Sequence, residues 1–300
     1  MKSLRDLKKR IKSIKNTEKM TNALEKVSIS KMKKFQNLAT QSKEYANDIA
    51  NYATLISGIY KKGNKNLNYK LTSRYFKKKE IGLPHALIVI APTRGFCGNM
   101  INDMLYVLNE NLDENIKYIG IGIQKKSQYI MSKFKNIEIE SVFEKAVENP
   151  EFNSIEAPFN FAFNNYLNGK VGKIFIFYTE YRGSFNYKPV FKQLLPLNYD
   201  DLIQYIDNDE EIIEHNEDYT IEPNQNMFFE KVIERYLKTI FLYSFITSKA
   251  SEHNARMIAM KNATDNAKDL RNVLNLQFNK SRQEAITTEL LDIIGGTINN

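Results

Sequence analysis

The chain has 300 residues, with 43 Lys or Arg against 35 Asp or Glu, a formal net charge of +8, and 42% apolar residues. That composition describes a folded chain rather than a disordered one, and no run of 18 apolar residues is present to span a membrane as a helix. The single cysteine, Cys97, excludes an internal disulfide and a structural cysteine–zinc site, and it suits a reducing compartment.

Charge is segregated along the chain. Residues 1–35 hold twelve Lys or Arg against three acids, whereas residues 200–222 hold ten Asp or Glu and no Lys or Arg. Either block alone reads as a solvated face; together they mark contacts with charged partners. The basic start has the composition of a transit peptide, but its apolar pattern runs on unbroken into the following residues, so it is read as part of a helix.

All seven prolines fall between Pro84 and Pro223, and no glycine occurs before Gly58 or between Gly183 and Gly295. Since Gly costs ~1 kcal/mol and Pro ~3 kcal/mol inside a helix, the windows 1–57 and 224–294 are predicted to be long helices. In the first, Leu4, Leu7, Ile11 and Ile14 repeat at heptad spacing. Thr17, Met20, Leu24 and Val27 continue the seam after a shift of one residue. Met32, Phe35, Ala39, Ser42, Ala46, Ile49, Ala53 and Ile56 form a third stretch. At 1.5 Å per residue the two windows reach roughly 85 and 105 Å, too long to be buried singly, so they are expected to pair.

The middle reads as α/β. His85 to Ala91, Tyr118 to Ile123 and Lys173 to Thr179 are predicted strands, with an edge strand from Lys188 to Leu197. Asn99 to Asn111, a stretch ending at Phe134, and Glu156 to Leu167 are predicted helices. The last window opens with Phe229, Ile233, Tyr236 and Ile240. It then changes to small residues every four positions: Ser251, Ala255, Ala259, Ala263 and Ala267. Small side chains let two helix backbones approach closely. The expected fold is α/β plus long helices: an antiparallel coiled coil of the N- and C-terminal helices, with a central Rossmann-like α/β domain of mostly parallel strands. The predicted divisions are a helix at 1–60, a linker at 61–83, the α/β domain at 84–200, an acidic connection at 201–223 and a helix at 224–297.

Motifs for chemistry are few. The strand-to-helix loop Pro92–Asn99 carries glycines but matches neither the Walker lysine pattern nor GxGxxG, so it is read as a tight structural turn. His85, His215 and His253 have no metal-ligand spacing. Cys97, with no nearby histidine but His85 across the strand, is read as an ordinary thiol. No paired-carboxylate, HExxH or nucleophile-elbow pattern occurs, and no cofactor or metal is expected. On these residues three classes stay open: a mechanical shaft of paired helices, a basic coiled-coil nucleic-acid-binding or scaffold protein with an α/β insert, and a small α/β enzyme with helical arms. Steep salt dependence in filter binding would mark the second. Stoichiometric nucleotide binding would mark the third.

Both ends resemble one family. The stretch Ile11 to Ala23, with Val27-Ser28 and Lys31-Met32, is similar to the opening helix of the gamma subunit of F-type rotary ATP synthases. Ser251-Glu252, Ala255 to Ala267, Asn279 to Thr287 and Glu289 to Gly296 resemble its closing helix. Arg94-Gly95 with Cys97-Gly98, Gln193 to Leu197, Asp218-Tyr219 and Glu222-Pro223 resemble landmarks between them, in the same order.

The resemblance implies a non-catalytic rotor shaft, one copy per complex. Its helices would enter a ring of alpha and beta subunits, and its foot would rest on the proton-driven membrane c-ring beside the epsilon subunit. No nucleic acid would be involved. It implies that Arg282, Gln283 and Thr287 contact the catch loop of a beta subunit. Tyr219 and Glu222 would face the membrane ring, and Leu290, Leu291, Ile293 and Ile294 would form an apolar bearing tip. Lys26 stands in the coupling zone where the family carries an apolar Met, and it is expected to find an acidic partner. Thr93, Asn99 and Glu284 also depart from the family pattern. The implied location is the cytoplasmic face of a bacterial inner membrane.

Overall fold

The computed structural model describes residues 4–57, 74–76, 82–144, 152–183, 186–198 and 225–298. The chain runs α1 (Leu4–Ser57), β1 (His85–Ile90), α2 (Met100–Asn111), β2 (Tyr118–Ile123), α3 (Lys125–Met131), β3 (Ile137–Phe143), α4 (Phe152–Leu167), β4 (Ile174–Tyr181), β5 (Tyr187–Leu195) and α5 (Gln225–Ile298). The windows free of glycine and proline thus become helices of 54 and 74 residues. The predicted linker at 61–83 lies largely outside the described residues and the acidic connection at 201–223 wholly so.

Residues divide into two compact units, one of residues 1–30 with 256–300, the other of residues 31–255. In the second unit the strands form one sheet in the order β3-β2-β1-β4-β5. β1 pairs in parallel with β2 and β4, β2 pairs in parallel with β3, and β5 is an antiparallel edge on β4. β1 is apolar at nearly every position because both faces are covered, as in parallel sheets flanked by helices. Its alternate residues serve two layers. Ala86, Ile88 and Ile90 face a core completed by α4, by Ala46, Ile49, Ala50 and Ala53 of α1, and by Phe229 to Phe245 of α5. Leu87 and Val89 face α2 and α3 through Met104, Leu108, Ile130 and Met131.

Two glycines on β2 exist for close approach. A Cβ on Gly120 would lie 2.8 Å from Ile137 Cγ2, and one on Gly122 would meet the Ser127 hydroxyl and, at 3.2 Å, its Cβ. Helix α3 therefore lies directly on the strand.

Three expectations need correction. β3 has no counterpart among the predicted strands; its sequence IEIESVF is a half-buried edge strand with glutamates on alternate positions. α4 starts at Phe152 rather than at Glu156, with Pro158 inside the helix. The third concerns the seam of α1. Met32, Phe35, Ala39, Ala46, Ile49 and Ala53 are buried as the spacing predicts, but Met20, Leu24 and Val27 are 61%, 38% and 53% exposed. Inside the first unit it is Thr21 and Ser28 that are buried. Periodicity put Met20, Leu24 and Val27 on one face correctly, but the smaller face, one residue along, is the one that meets α5.

Candidate functional site

The first unit is an antiparallel helix pair held by small and polar groups. The Thr264 hydroxyl donates to that of Thr21 at 2.7 Å, and Met260 O lies 2.8 Å from the same Thr264 oxygen. The Thr21 hydroxyl donates to Glu18 O, and the Arg271 guanidinium pairs with the Glu18 carboxylate. Ser28 donates to Leu24 O at 2.8 Å. Leu7, Met260, Ala267 and Leu274 supply the buried apolar contacts. Serine and threonine hydroxyls that bond back to their own helix can be buried without leaving a polar group unsatisfied.

The outside of this pair is the unusual part. Met20, Val27, Val273 and Leu276 are all at least half exposed, and Leu24 and Leu270 only slightly less. Arg5, Lys8, Lys9, Arg10, Lys12, Lys15, Lys19 and Lys26 are exposed on the same unit. Exposed apolar surface beside a cluster of exposed cations on α1 is the mark of a protein-binding face. Its cations favour an acidic partner.

Towards the end of α5 the sequence-predicted catch residues Arg282, Gln283 and Thr287 are all exposed. The Thr287 hydroxyl donates to Gln283 O at 2.9 Å, so its proton is committed and its lone pairs stay available to a donor. Gln283, Ile286, Thr287 and Leu290 follow the i, i+3, i+4, i+7 spacing of one helix face. Arg282 makes no ion pair among the described residues. Leu290 and Leu291 are 55% and 63% exposed. The side chains of Ile293 and Ile294, and the whole of Tyr219 and Glu222, lie outside the described residues.

In the α/β unit, the loop after β1 folds as a turn with Phe96 at φ 64° and Gly98 at φ 56°. The Cys97 thiol is buried and directed at Arg94 O and Gly95 O, 3.5 and 3.6 Å away. Among the described residues no group of three or more His, Cys, Asp or Glu could hold a metal. Burial pushes the Tyr166 phenol up to about 12. Burial also raises that of Tyr187, whose hydroxyl donates to Asp103 at 2.6 Å.

Sequence reasoning missed one polar assembly in this unit. Residues Thr247 to Asn254 of α5 bury Thr247, Ser248, Lys249, Ser251, Glu252 and Asn254. Lys249 Nζ lies 2.9 Å from Glu252 Oε2 and 2.5 Å from Thr93 Oγ1, which in turn donates to Gln124 Oε1 at 2.6 Å. The available signal was the run TSKASEHN itself, which has one apolar residue where a core helix should have three.

No described helix is long and apolar enough to cross a membrane. The family model described as ATP synthase matches residues 3–298. An ATP synthase gamma chain of Helicobacter pylori (strain G27) is 33% identical over 305 residues, covering 99% of this chain and 98% of the relative. One of Actinobacillus pleuropneumoniae serotype 5b (strain L20) is 34% identical over 302 residues, covering 99% of both chains. Among solved structures, a chain of the Euglena gracilis mitochondrial ATP synthase, from an assembly with F1 and c-ring, superposes with a TM-score of 0.61. It has 19% identity, over 98% of this chain and 93% of that one. A chain from the central stalk and c-ring of the Tetrahymena thermophila mitochondrial ATP synthase gives a TM-score of 0.55 at 18% identity, over 81% and 99%.

Proposed function

This chain belongs to the ATP synthase gamma chain family, and from that premise we propose that it is the central rotor shaft coupling proton-driven rotation to ATP synthesis on neighbouring subunits. It contributes no active site; nucleotide chemistry belongs to the alpha and beta subunits whose ring surrounds the helix pair. The observation that carries this reading is the outward face of the first unit, with bulky apolar residues and lysines exposed while small hydroxyl residues are spent on the helix–helix seam. A shaft needs that division, because its inner contacts must hold while its outer contacts form and release.

Within this reading, Arg282 and Gln283 engage the catch loop of a beta subunit, with Thr287 accepting a further hydrogen bond. Arginine can grip a carboxylate bidentately. Leu290, Leu291, Ile293 and Ile294 turn in the apolar sleeve at the head of the ring, where contacts without direction offer little resistance. Lys26 meets an acidic group of a beta subunit. Tyr219 and Glu222 face the c-ring, the epsilon subunit binds the foot, and a single copy serves each complex at the cytoplasmic face of the bacterial inner membrane. The basic nucleic-acid-binding or scaffold alternative is not favoured, since it leaves the match along the whole chain without a cause.

The test is co-expression with alpha and beta subunits of the same source and purification through a tag on beta. One copy per three beta subunits, with raised ATPase turnover, is expected. Arg282→Ala with Gln283→Ala should weaken that stimulation about tenfold, since a hydrogen bond to a charged group contributes ~1.5–3 kcal/mol. Failure of the wild-type chain to associate would refute the shaft reading.

A further inference from the structure

Open α/β sheets take their ligands in the crevice beyond the C-terminal ends of the strands, where the crossover direction reverses. Here the reversal lies between β1 and β4, because β2 and β3 are added on one side of β1 and β4 and β5 on the other. The protein's own α5 fills that crevice. β1 pairs with β4 only as far as Phe177, so β4 continues to Tyr181 without β1 beside it. Side chains of α5 satisfy the backbone there. Tyr181 N donates to Thr247 Oγ1 at 3.0 Å, Thr179 N to Ser248 Oγ at 3.4 Å, and Ser251 Oγ donates to Thr179 O at 3.0 Å. Beside them Lys249 reaches the loop after β1 through Thr93, and Thr93 reaches Gln124 at the end of β2.

One short stretch of α5 is therefore hydrogen-bonded directly to β4 and to the loop after β1, and through Thr93 it is linked to the end of β2. The preceding stretch of the same helix, from Phe229 to Ile246, packs on this unit with apolar side chains. The change at Thr247 replaces contacts without direction by contacts that weaken steeply once donor and acceptor move out of line. An apolar ridge can slide in its groove; a lysine of the helix bonded to a hydroxyl of the loop after β1, and steadied by Glu252 of its own helix, cannot move without breaking that bond.

We propose that this crevice is a mechanical joint, with Lys249 the positioning residue that keys α5 against turning relative to the sheet. Force applied to the α/β unit then enters α5 through the Thr93–Lys249 bond, with Glu252 holding Lys249 in place from the same helix, and through the hydroxyl bonds to β4. The proposal rests on the shaft reading, and it assigns to this unit the task of gripping the shaft rather than of binding a ligand.

The test uses the whole complex in inverted membrane vesicles, with the wild-type chain, Lys249→Met/Glu252→Leu, and Thr93→Val. Removing both charges together avoids stranding one of them, so the double variant should melt at the wild-type temperature or above. Two quantities are read: ATP hydrolysis with the proton gradient collapsed by an uncoupler, and the maximal gradient built without it. The joint predicts unchanged uncoupled hydrolysis and a maximal gradient at least about twofold lower for the double variant, with Thr93→Val intermediate. A double variant with wild-type hydrolysis and a wild-type gradient overturns the joint. Loss of gradient in step with loss of thermal stability overturns it too, and leaves the stretch a purely structural role. If the double variant does not assemble, Thr93→Val decides on the same two readouts. A wild-type chain that drives no pumping refutes the shaft reading itself, and the joint with it.

Discussion

Gly122→Ala would introduce a single methyl group where α3 crosses β2. Its Cβ would collide with the Ser127 hydroxyl and come within 3.2 Å of Ser127 Cβ and 3.0 Å of Met131 Cε. The methionine end can swing aside. Ser127 cannot, because its hydroxyl is buried and donates to Gln124 O at 2.5 Å, and its Cβ is fixed to the α3 backbone. The helix must lift, which costs ~1–3 kcal/mol as overpacking. The strained or lost hydrogen bond adds ~1 kcal/mol. Reduced freedom of the unfolded chain returns ~0.5–1 kcal/mol. The net expectation is a loss of about 1–3.5 kcal/mol, or roughly 2–14 °C in Tm for a unit of this size. The chain has no tryptophan, so urea unfolding is followed by near-UV circular dichroism of the buried tyrosines Tyr118 and Tyr166. Gly120→Ala should also destabilise, because its Cβ would lie 2.8 Å from Ile137 Cγ2, a branched atom fixed to the neighbouring strand, as well as 2.9 Å from the Met131 sulfur. Ser127→Ala should restore at least ~1 kcal/mol in the Gly122→Ala background, measured as a coupling in the double-mutant cycle. Wild-type stability of Gly122→Ala, or zero coupling to Ser127, would refute the packing argument.

Thr179 Oγ1 is buried and finds no hydrogen-bond partner among the described residues, so Thr179→Val should raise stability by ~1 kcal/mol in the same assay. Burial, followed by a smaller effect of Lys173, lowers the pKa of His85. Its unfolded form therefore takes up a proton first as pH falls through about 6.5, and stability drops from pH 7 to pH 5. Unfolding of His85→Leu at the two pH values should show a smaller drop than the wild-type chain. Arg271→Met unpairs Glu18 on the helix pair; a loss of ~0.5–1 kcal/mol is expected for this part-exposed bridge, shrinking in high salt. Hydrogen exchange of peptides covering residues 15–25 would register it locally.

The long helices were legible because glycine and proline are absent over whole windows, a signal independent of packing. β1, β2 and β4 were legible as short apolar runs, since strands covered on both faces cannot be anything else at that length. β3 was not, because Glu138 and Glu140 break up its apolar run and half-burial hides its period in seven residues. The seam at Thr17–Val27 failed for a different reason. Spacing reports that Met20, Leu24 and Val27 share a face, but not what covers it, and among the described residues they stay 61%, 38% and 53% exposed. Lys249 and Glu252 were invisible as buried residues because a charged pair on a helix ordinarily belongs to solvent; only the strand ends that meet them explain their place. The catch residues were found by resemblance alone, as an exposed Arg-Gln pair has no physical signature in a sequence.

The core beneath the α4 side of the sheet is completed by Phe229, Ile233, Phe241 and Phe245, residues synthesised after every strand. The outer reach of β4 likewise waits for Thr247 and Ser251. During translation at about 5–20 residues per second, the stretch from β5 to Ser251 takes roughly 3–11 s to emerge. For that interval one apolar face of the sheet is covered only by α1 and α4, and the outer reach of β4 is open, in a form suited to pairing with other chains. The unit can therefore close only after the ribosome has produced most of α5, and a nascent chain stalled before Phe229 is the species most in need of a chaperone.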